Sequence, residues 1–245
     1  VSNPFQIDGP AVISFSGGRT SGYMLRRILD EGLRPDVHIL FADTGKERLE
    51  TYAFIRACAR EWTVDIHWIE RPGQFTQLIT DRGYLPTVVT RFCTEMLKIR
   101  PQRDWMRAHG YEHWINCVGI RADEPHRVAR MRASNEKAKE RWDVELPLAD
   151  AGITLADVTA FWQAQPFDLQ LQPHEGNCDL CFLKSYSKIK NLVRDRPDLA
   201  EWWAQQEERI GKPFRIDRPG YRAMLNQPDL FEDTTEDLIE CYCHD

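Results

Sequence analysis

The sequence lacks any apolar run long enough to span a bilayer, and its opening, VSNPFQIDGPAVISF, has neither the basic start nor the unbroken apolar stretch of an export signal. A cytoplasmic protein with no membrane partner is the expectation. Positive charge is also wanting. At a net charge of -6 over 245 residues, a chain that coats nucleic acid indiscriminately is excluded. No internal repeat or low-complexity tract is present, and neither a GxxxxGK(S/T) loop nor a GxGxxG fingerprint occurs. The seven cysteines are an odd number in a chain read as unexported, which argues against a disulfide framework and for metal or redox chemistry.

What is present has an ordered pattern. Short runs rich in Val, Ile and Phe recur at Ala11 to Phe15, Val37 to Phe41, Ile66 to Ile69 and Trp114 to Ile120, each bounded by polar or turn residues, as buried strands are. Between them, Thr20 to Leu29 and Glu47 to Trp62 place apolar residues at helical steps of three and four. Alternating strand and helix imply a parallel sheet covered on both faces. After about Glu145 no comparable strand follows. Thr154 with Asp157 opens one helix as a capping box, and Asp198 to Gly211 forms another ending at glycine. The division expected is an α/β domain over 1–150 and a mostly helical region over 151–245, packed against the sheet, with a CxxC and a cysteine-rich tail. From Arg91 to Arg141 twelve Lys and Arg face seven Asp and Glu, a basic segment in an acidic chain. It fits either a local anionic ligand or solvated helix faces.

The stretch SFSGGRTSGYML lies where the first strand gives way to the first helix, the place where a parallel sheet binds ligands. Gly17 and Gly18 let backbone approach an anion, the helix start offers N–H groups and a favourable dipole, and Ser16, Thr20 and Ser21 add hydroxyls. Arg19 adds a guanidinium suited to phosphate. A glycine pair alone would make only a tight turn. The remaining motifs lift the reading to a phosphate or pyrophosphate cradle.

Those motifs resemble one family. SGGRTS is similar to the SGGxDS pyrophosphate loop of the PP-loop adenine-nucleotide α-hydrolase superfamily, and the chain resembles its phosphoadenylylsulfate (PAPS) reductase branch along most of Ala11 to His244. FADTGKERLET, FCTEMLKIRP, GIRADEPHR, PLADAGITLADVTAFW, GNCDLCF and ECYCH match its successive elements in order. The resemblance implies a Rossmann-like, three-layer α/β fold with a smaller helical C-terminal region. It departs from the family pattern at Thr20, where ATP-using members have aspartate, at the retained second glycine, at Phe92-Cys93 in place of a cysteine pair, and in the tail at Tyr242-Cys243.

The roles implied follow residue by residue. Cys241 stands where the reductases carry their nucleophile, and Cys243 is placed to resolve an intermediate or to bind metal. Lys98 is directed at the reacting phosphate or sulfate, the alternative being a pair with Glu95. Arg121 and Arg127 clamp a sulfate or terminal phosphate, unless they are only salt-bridged to Asp123 and Glu124. Asp43 is either a capping residue or a contact near the nucleotide. Cys178 and Cys181 have the two-residue gap that lets both sulfurs reach one metal. With Cys93 and a tail ligand, Cys243 or His244, the resemblance implies a 4Fe-4S cluster; zinc satisfies the same donors. Cys58 and Cys117 read as core residues.

Sulfonucleotide reduction supported by a thiol reductant such as thioredoxin is the first functional expectation. The second is an ATP pyrophosphatase, using magnesium, that adenylylates a substrate for sulfur transfer, with the basic segment facing RNA or DNA. A third is a non-catalytic nucleotide- or zinc-binding protein. Oligomeric state is not read from the sequence.

Overall fold

The computed structural model describes residues 3–71, 73–137, 140–172 and 175–226. Five parallel strands form one sheet: β1 (Ala11–Ser14), β2 (Val37–Asp43), β3 (His67–Glu70), β4 (Trp114–Val118) and β5 (Trp142–Glu145), in the order β3-β2-β1-β4-β5. The expected parallel α/β architecture is present. The fifth strand was not anticipated. Its WDVE is short and alternates with acidic residues, and only pairing with β4 makes it a strand.

Side-chain alternation along β1 assigns the two faces. Ile13 and Phe15 point into a core shared with α1 (Arg19–Asp30), α2 (Leu49–Trp62) and α8 (Leu155–Gln163), through Met24, Leu25, Phe54, Ile55 and Trp162. Val12 faces the other way, toward Leu40, Trp114 and Met106 of α5 (Arg100–Ala108). A further apolar cluster gathers α3 (Gln74–Arg82), α9 (Tyr186–Asp195), α10 (Pro197–Ile210) and α11 (Tyr221–Asn226) around Trp203, Phe182 and Phe214. It also takes in Phe92 and Leu97, so helices from between β3 and β4 pack with those that follow residue 180. The remaining helices are α4 (Phe92–Thr94), α6 (Pro125–Glu136) and α7 (Pro147–Asp150). No helix among the described residues is long and apolar enough to cross a membrane.

Strand order reverses direction at β1, whose neighbours β2 and β4 are reached by opposite crossovers. The crevice outside the carboxyl ends of β1 and β4 is the expected ligand position for such a sheet. Between α4 and α5 the chain makes a π turn, Glu95–Ile99, in which Arg100 N–H reaches back five residues to the Glu95 carbonyl. Pro101 lacks the N–H that would continue the α-helical ladder from Leu97. That turn carries Lys98.

Candidate active site

Ser21 organises the loop after β1. Its Oγ accepts from the Ser16 and Gly18 amides at 3.3 Å each, lies 2.9 Å from Ser16 Oγ, and donates to the Gly18 carbonyl at 3.1 Å. Gly17 has φ +78°, and a Cβ there would lie 2.7 Å from Thr51 Cγ2 and 2.8 Å from Ile55 Cδ1, so only glycine fits. Across the crevice, Gly119 follows β4 so closely that its Cβ would sit 3.2 Å from Ser21 Cα.

A pocket of about 390 Å³ opens at this point. Ser16, Ser21, Lys98 and Arg127 of the expected site line it, joined by Ser14, Gln102, Arg103 and Asn116, which sequence reasoning did not single out. Ser14 Oγ donates to Asn116 Oδ1 at 2.7 Å and reaches Gln102 Oε1 at 3.3 Å, tying β1, β4 and α5 together on the pocket wall. Other expected residues stand back from the lining. Arg19 makes a two-pronged pair with Asp168, at 2.8 and 2.7 Å, and also donates to the Leu171 carbonyl. Partial burial works against ionisation of Asp168, and the Arg19 bonds outweigh it, holding the carboxyl below its ordinary range. Arg121 is buried; it donates to Asp123 Oδ1 at 2.9 Å and to Thr20 Oγ1 at 3.1 Å, and lies 3.7 Å from Glu124. Arg127 pairs with Glu124 while facing the pocket. Asp43 accepts from the Gly45 amide and the Tyr52 hydroxyl, which makes it a turn-stabilising residue here.

A second, smaller cavity of about 40 Å³ lies beside the first. Cys93, Cys178 and Cys181 all line it. Thr94 and Lys98 line both cavities and so form the partition between them. Loop-to-loop bonds set the CxxC in place. Glu47 and Cys178 form an antiparallel bridge, Arg48 N–H donates to the Asn177 carbonyl at 2.8 Å, and Asp179 N–H donates to the Lys46 carbonyl at 2.9 Å. Asn177 Nδ2 then donates to the Ser16 carbonyl at 3.2 Å, fastening the cysteine loop to the glycine loop. Buried Lys184 points its ammonium at the Asp179 carbonyl, 2.6 Å away, and at that of Cys178.

Asp179, between the two cysteines, is buried and accepts from Trp203 Nε1 at 2.8 Å, with Lys46 Nζ at 3.3 Å. Desolvation pushes its carboxyl up, against the pull of Lys46 and Lys184. Cys58 and Cys117 are buried in the main core, where desolvation drives both thiols upward. Among the described residues no group of three or more His, Cys, Asp or Glu side chains is arranged to hold a metal ion. Cys241, Cys243 and His244 lie outside the described residues.

Sequence reasoning missed Glu47, Asn177, Asp179 and Lys184. All four sit inside or next to motifs it quoted, and their roles come from contacts between loops that no spacing reveals. Of the histidines it named only His244, as a tail ligand. His38, His67 and His109 gather around Trp105 at the amino-terminal edge of the sheet, and none of the three lines the pocket.

Comparison with known proteins gives consistent matches. A family model described as the phosphoadenosine phosphosulfate reductase domain matches residues 10–168. The uncharacterized nin region protein ORF290 of Escherichia phage lambda is 34% identical over 217 residues, covering 77% of this chain and 71% of that protein. An uncharacterized protein of Methanocaldococcus jannaschii is 23% identical over 207 residues, covering 83% of this chain and 42% of its own length. Among solved structures, the phosphate complex of phosphoadenylyl-sulfate (PAPS) reductase from Candida auris is similar at 15% identity and TM-score 0.44, covering 66% of this chain and 76% of that one. The U34-tRNA thiolase NcsA from Methanococcus maripaludis, with its 4Fe-4S cluster, is similar at 13% identity and TM-score 0.49, covering 92% and 74%.

Proposed function

The chain belongs to the phosphoadenosine phosphosulfate reductase domain family, and from that premise we propose that it binds an adenine nucleotide in the 390 Å³ pocket and performs thiol-dependent sulfur chemistry, with sulfonucleotide reduction as the reaction. One observation carries the reading. The pocket at the phosphate-type loop and the three-cysteine cavity are adjacent and share Thr94 and Lys98, and the two loops are fastened together through Asn177 and Ser16.

The Ser16 and Gly18 amides meet Ser21 Oγ at 3.3 Å, long for a hydrogen bond, so a phosphate oxygen is the better acceptor for them. Lys98 and Arg127 offset the charge of the phosphate and sulfate groups. The Cys241 thiolate attacks the sulfur of the sulfonucleotide, forming an S–S bond to the sulfonate as the S–O bond to the nucleotide phosphate breaks. A second thiolate then attacks the Cys241 sulfur, releasing sulfite and leaving a disulfide, which an external dithiol such as thioredoxin reduces. Soft sulfur donors suit a cluster, and Cys93, Cys178 and Cys181 supply three on one cavity; a tail residue, Cys243 or His244, would be the fourth. A 4Fe-4S cluster bound there would supply local charge, and zinc would use the same donors.

Incubation of the full chain with PAPS or adenylyl sulfate and a reduced dithiol should release sulfite, and Cys241→Ser should abolish it. Unchanged sulfonucleotide in every combination would refute reduction. The retained glycine pair favours a second reading, ATP cleavage with magnesium to adenylylate a substrate for RNA or DNA thiolation, and pyrophosphate release stimulated by polynucleotide would mark it. Anaerobic purification with an absorption spectrum and elemental analysis separates iron-sulfur from zinc.

A further inference from the structure

Glu47 belongs to neither cavity lining, yet it is paired with Lys98, one of the two residues common to both. Its side chain is 1% exposed, and Oε1 lies 3.6 Å from Lys98 Nζ and accepts from Thr44 Oγ1 at 3.0 Å. Oε2 is buried with no hydrogen-bond partner among the described residues. A buried carboxylate of this kind is costly unless its charge is needed where it is. The 3.6 Å ion pair fixes where the Lys98 ammonium sits on the wall between the two cavities. Glu47 is in turn held by its bridge to Cys178. The position of Lys98 is thereby referred to the cysteine loop and the loop after β2 together.

We propose that Glu47 is a positioning residue: it holds the Lys98 ammonium on the partition, where one cation serves the anion in the large pocket and borders the thiols in the small one. This rests on the nucleotide reading of the pocket. It predicts an effect opposite to simple electrostatics. Removing a negative charge near an anion site should tighten anion binding, whereas loss of a positioning residue should weaken it.

The test is calorimetric binding of adenylyl sulfate and of adenosine 5′-phosphate, without reductant, to the full chain carrying Glu47→Gln, Lys98→Met or both. Lys98→Met should weaken adenylyl sulfate binding about ten-fold or more, as loss of a charged hydrogen bond does. Glu47→Gln should weaken it about three- to ten-fold, and should cause no further weakening when Lys98 is already Met. Tighter or unchanged binding by Glu47→Gln overturns the proposal, and so does equal weakening in both backgrounds, which would mark a merely structural role. A wild-type chain that binds neither nucleotide instead overturns the reading of the pocket, and this inference with it. Should Glu47→Gln fail to fold, Glu47→Asp repeats the cycle with the charge kept and drawn back by one methylene, under the same criteria.

Discussion

The two glycines of the loop after β1 look equivalent in sequence and should behave very differently when replaced. Gly17 has φ +78°, and an added methyl there meets Thr51 Cγ2 at 2.7 Å and Ile55 Cδ1 at 2.8 Å. The left-handed backbone costs a side-chain residue about 1–2 kcal/mol and overpacking about 1–3 kcal/mol, so Gly17→Ala should destabilise by about 2–5 kcal/mol. Gly18, at φ -106° and ψ 169°, is in extended geometry that any residue adopts. There Ala should cost about 1 kcal/mol or less, the difference between glycine and alanine at a helix N-cap. Urea unfolding followed by circular dichroism separates them: with a slope of about 2 kcal/mol per molar, Gly17→Ala lowers the midpoint by about 1–2.5 M and Gly18→Ala by no more than about 0.5 M. Equal midpoints for the two variants would refute the assignment of the first glycine to close packing and left-handed backbone.

Lys184→Met should expose the dependence of the cysteine loop on a buried cation. It leaves the Cys178 and Asp179 carbonyls without that donor, at a cost of about 2 kcal/mol or more, read as a fall in unfolding midpoint. An unchanged midpoint would show that the loop is held without it. His38, which is not among the pocket-lining residues, supplies a pH dependence of stability. Burial first, then the nearby His67 and His109, hold its imidazole below the ordinary value of 6.5, with Asp36 opposing. As pH falls below about 6.5 the unfolded chain therefore takes up the proton first, and stability is lost from there down through the folded value. Wild type should lose more stability than His38→Gln between pH 7.5 and 5.5. A difference that does not vary with pH would count against the coupling. Tyr111 Oη lies 2.8 Å from His38 Nε2, so the NMR titration of His38 should report the same depression directly.

Most of the framework was legible in the sequence because it is written in local periodicity. β1, β2, α1 and α2 fall within a few residues of their apolar patterns, and α8 begins where Thr154 and Asp157 form their capping contacts, at 2.8 and 2.7 Å. Gly211, at φ +71°, ends α10 as a terminal glycine should. β5 was illegible because half of its four residues are acidic and its only cause is a neighbour in the sheet. Arg19 was read by proximity to the glycines. Its partner, Asp168, is 149 residues away, and nothing between them signals the pair. Ser21 was read as a hydroxyl for an anion, and its bonds to the Gly18 amide and carbonyl are local ones that its place at the third helical position explains.

The distances between motifs also explain why the two cavities adjoin. A CxxC can ligate metal anywhere in a fold, and a glycine loop can bind phosphate without any cysteine nearby. Here the segment after β2 touches both, since residues 46–48 pair with 177–179 while Thr51, one turn into α2, packs on Gly17 and donates to the Asn177 carbonyl. α2 therefore begins between the phosphate-type loop and the cysteine loop, in contact with each. A change in either loop large enough to shift Thr51 must be felt by the other, because the helix packs on Gly17 with no room for even a Cβ between them. The glycine loop and the cysteine loop are thus a single mechanical unit, and the glycine at position 17 is required by the helix that joins them.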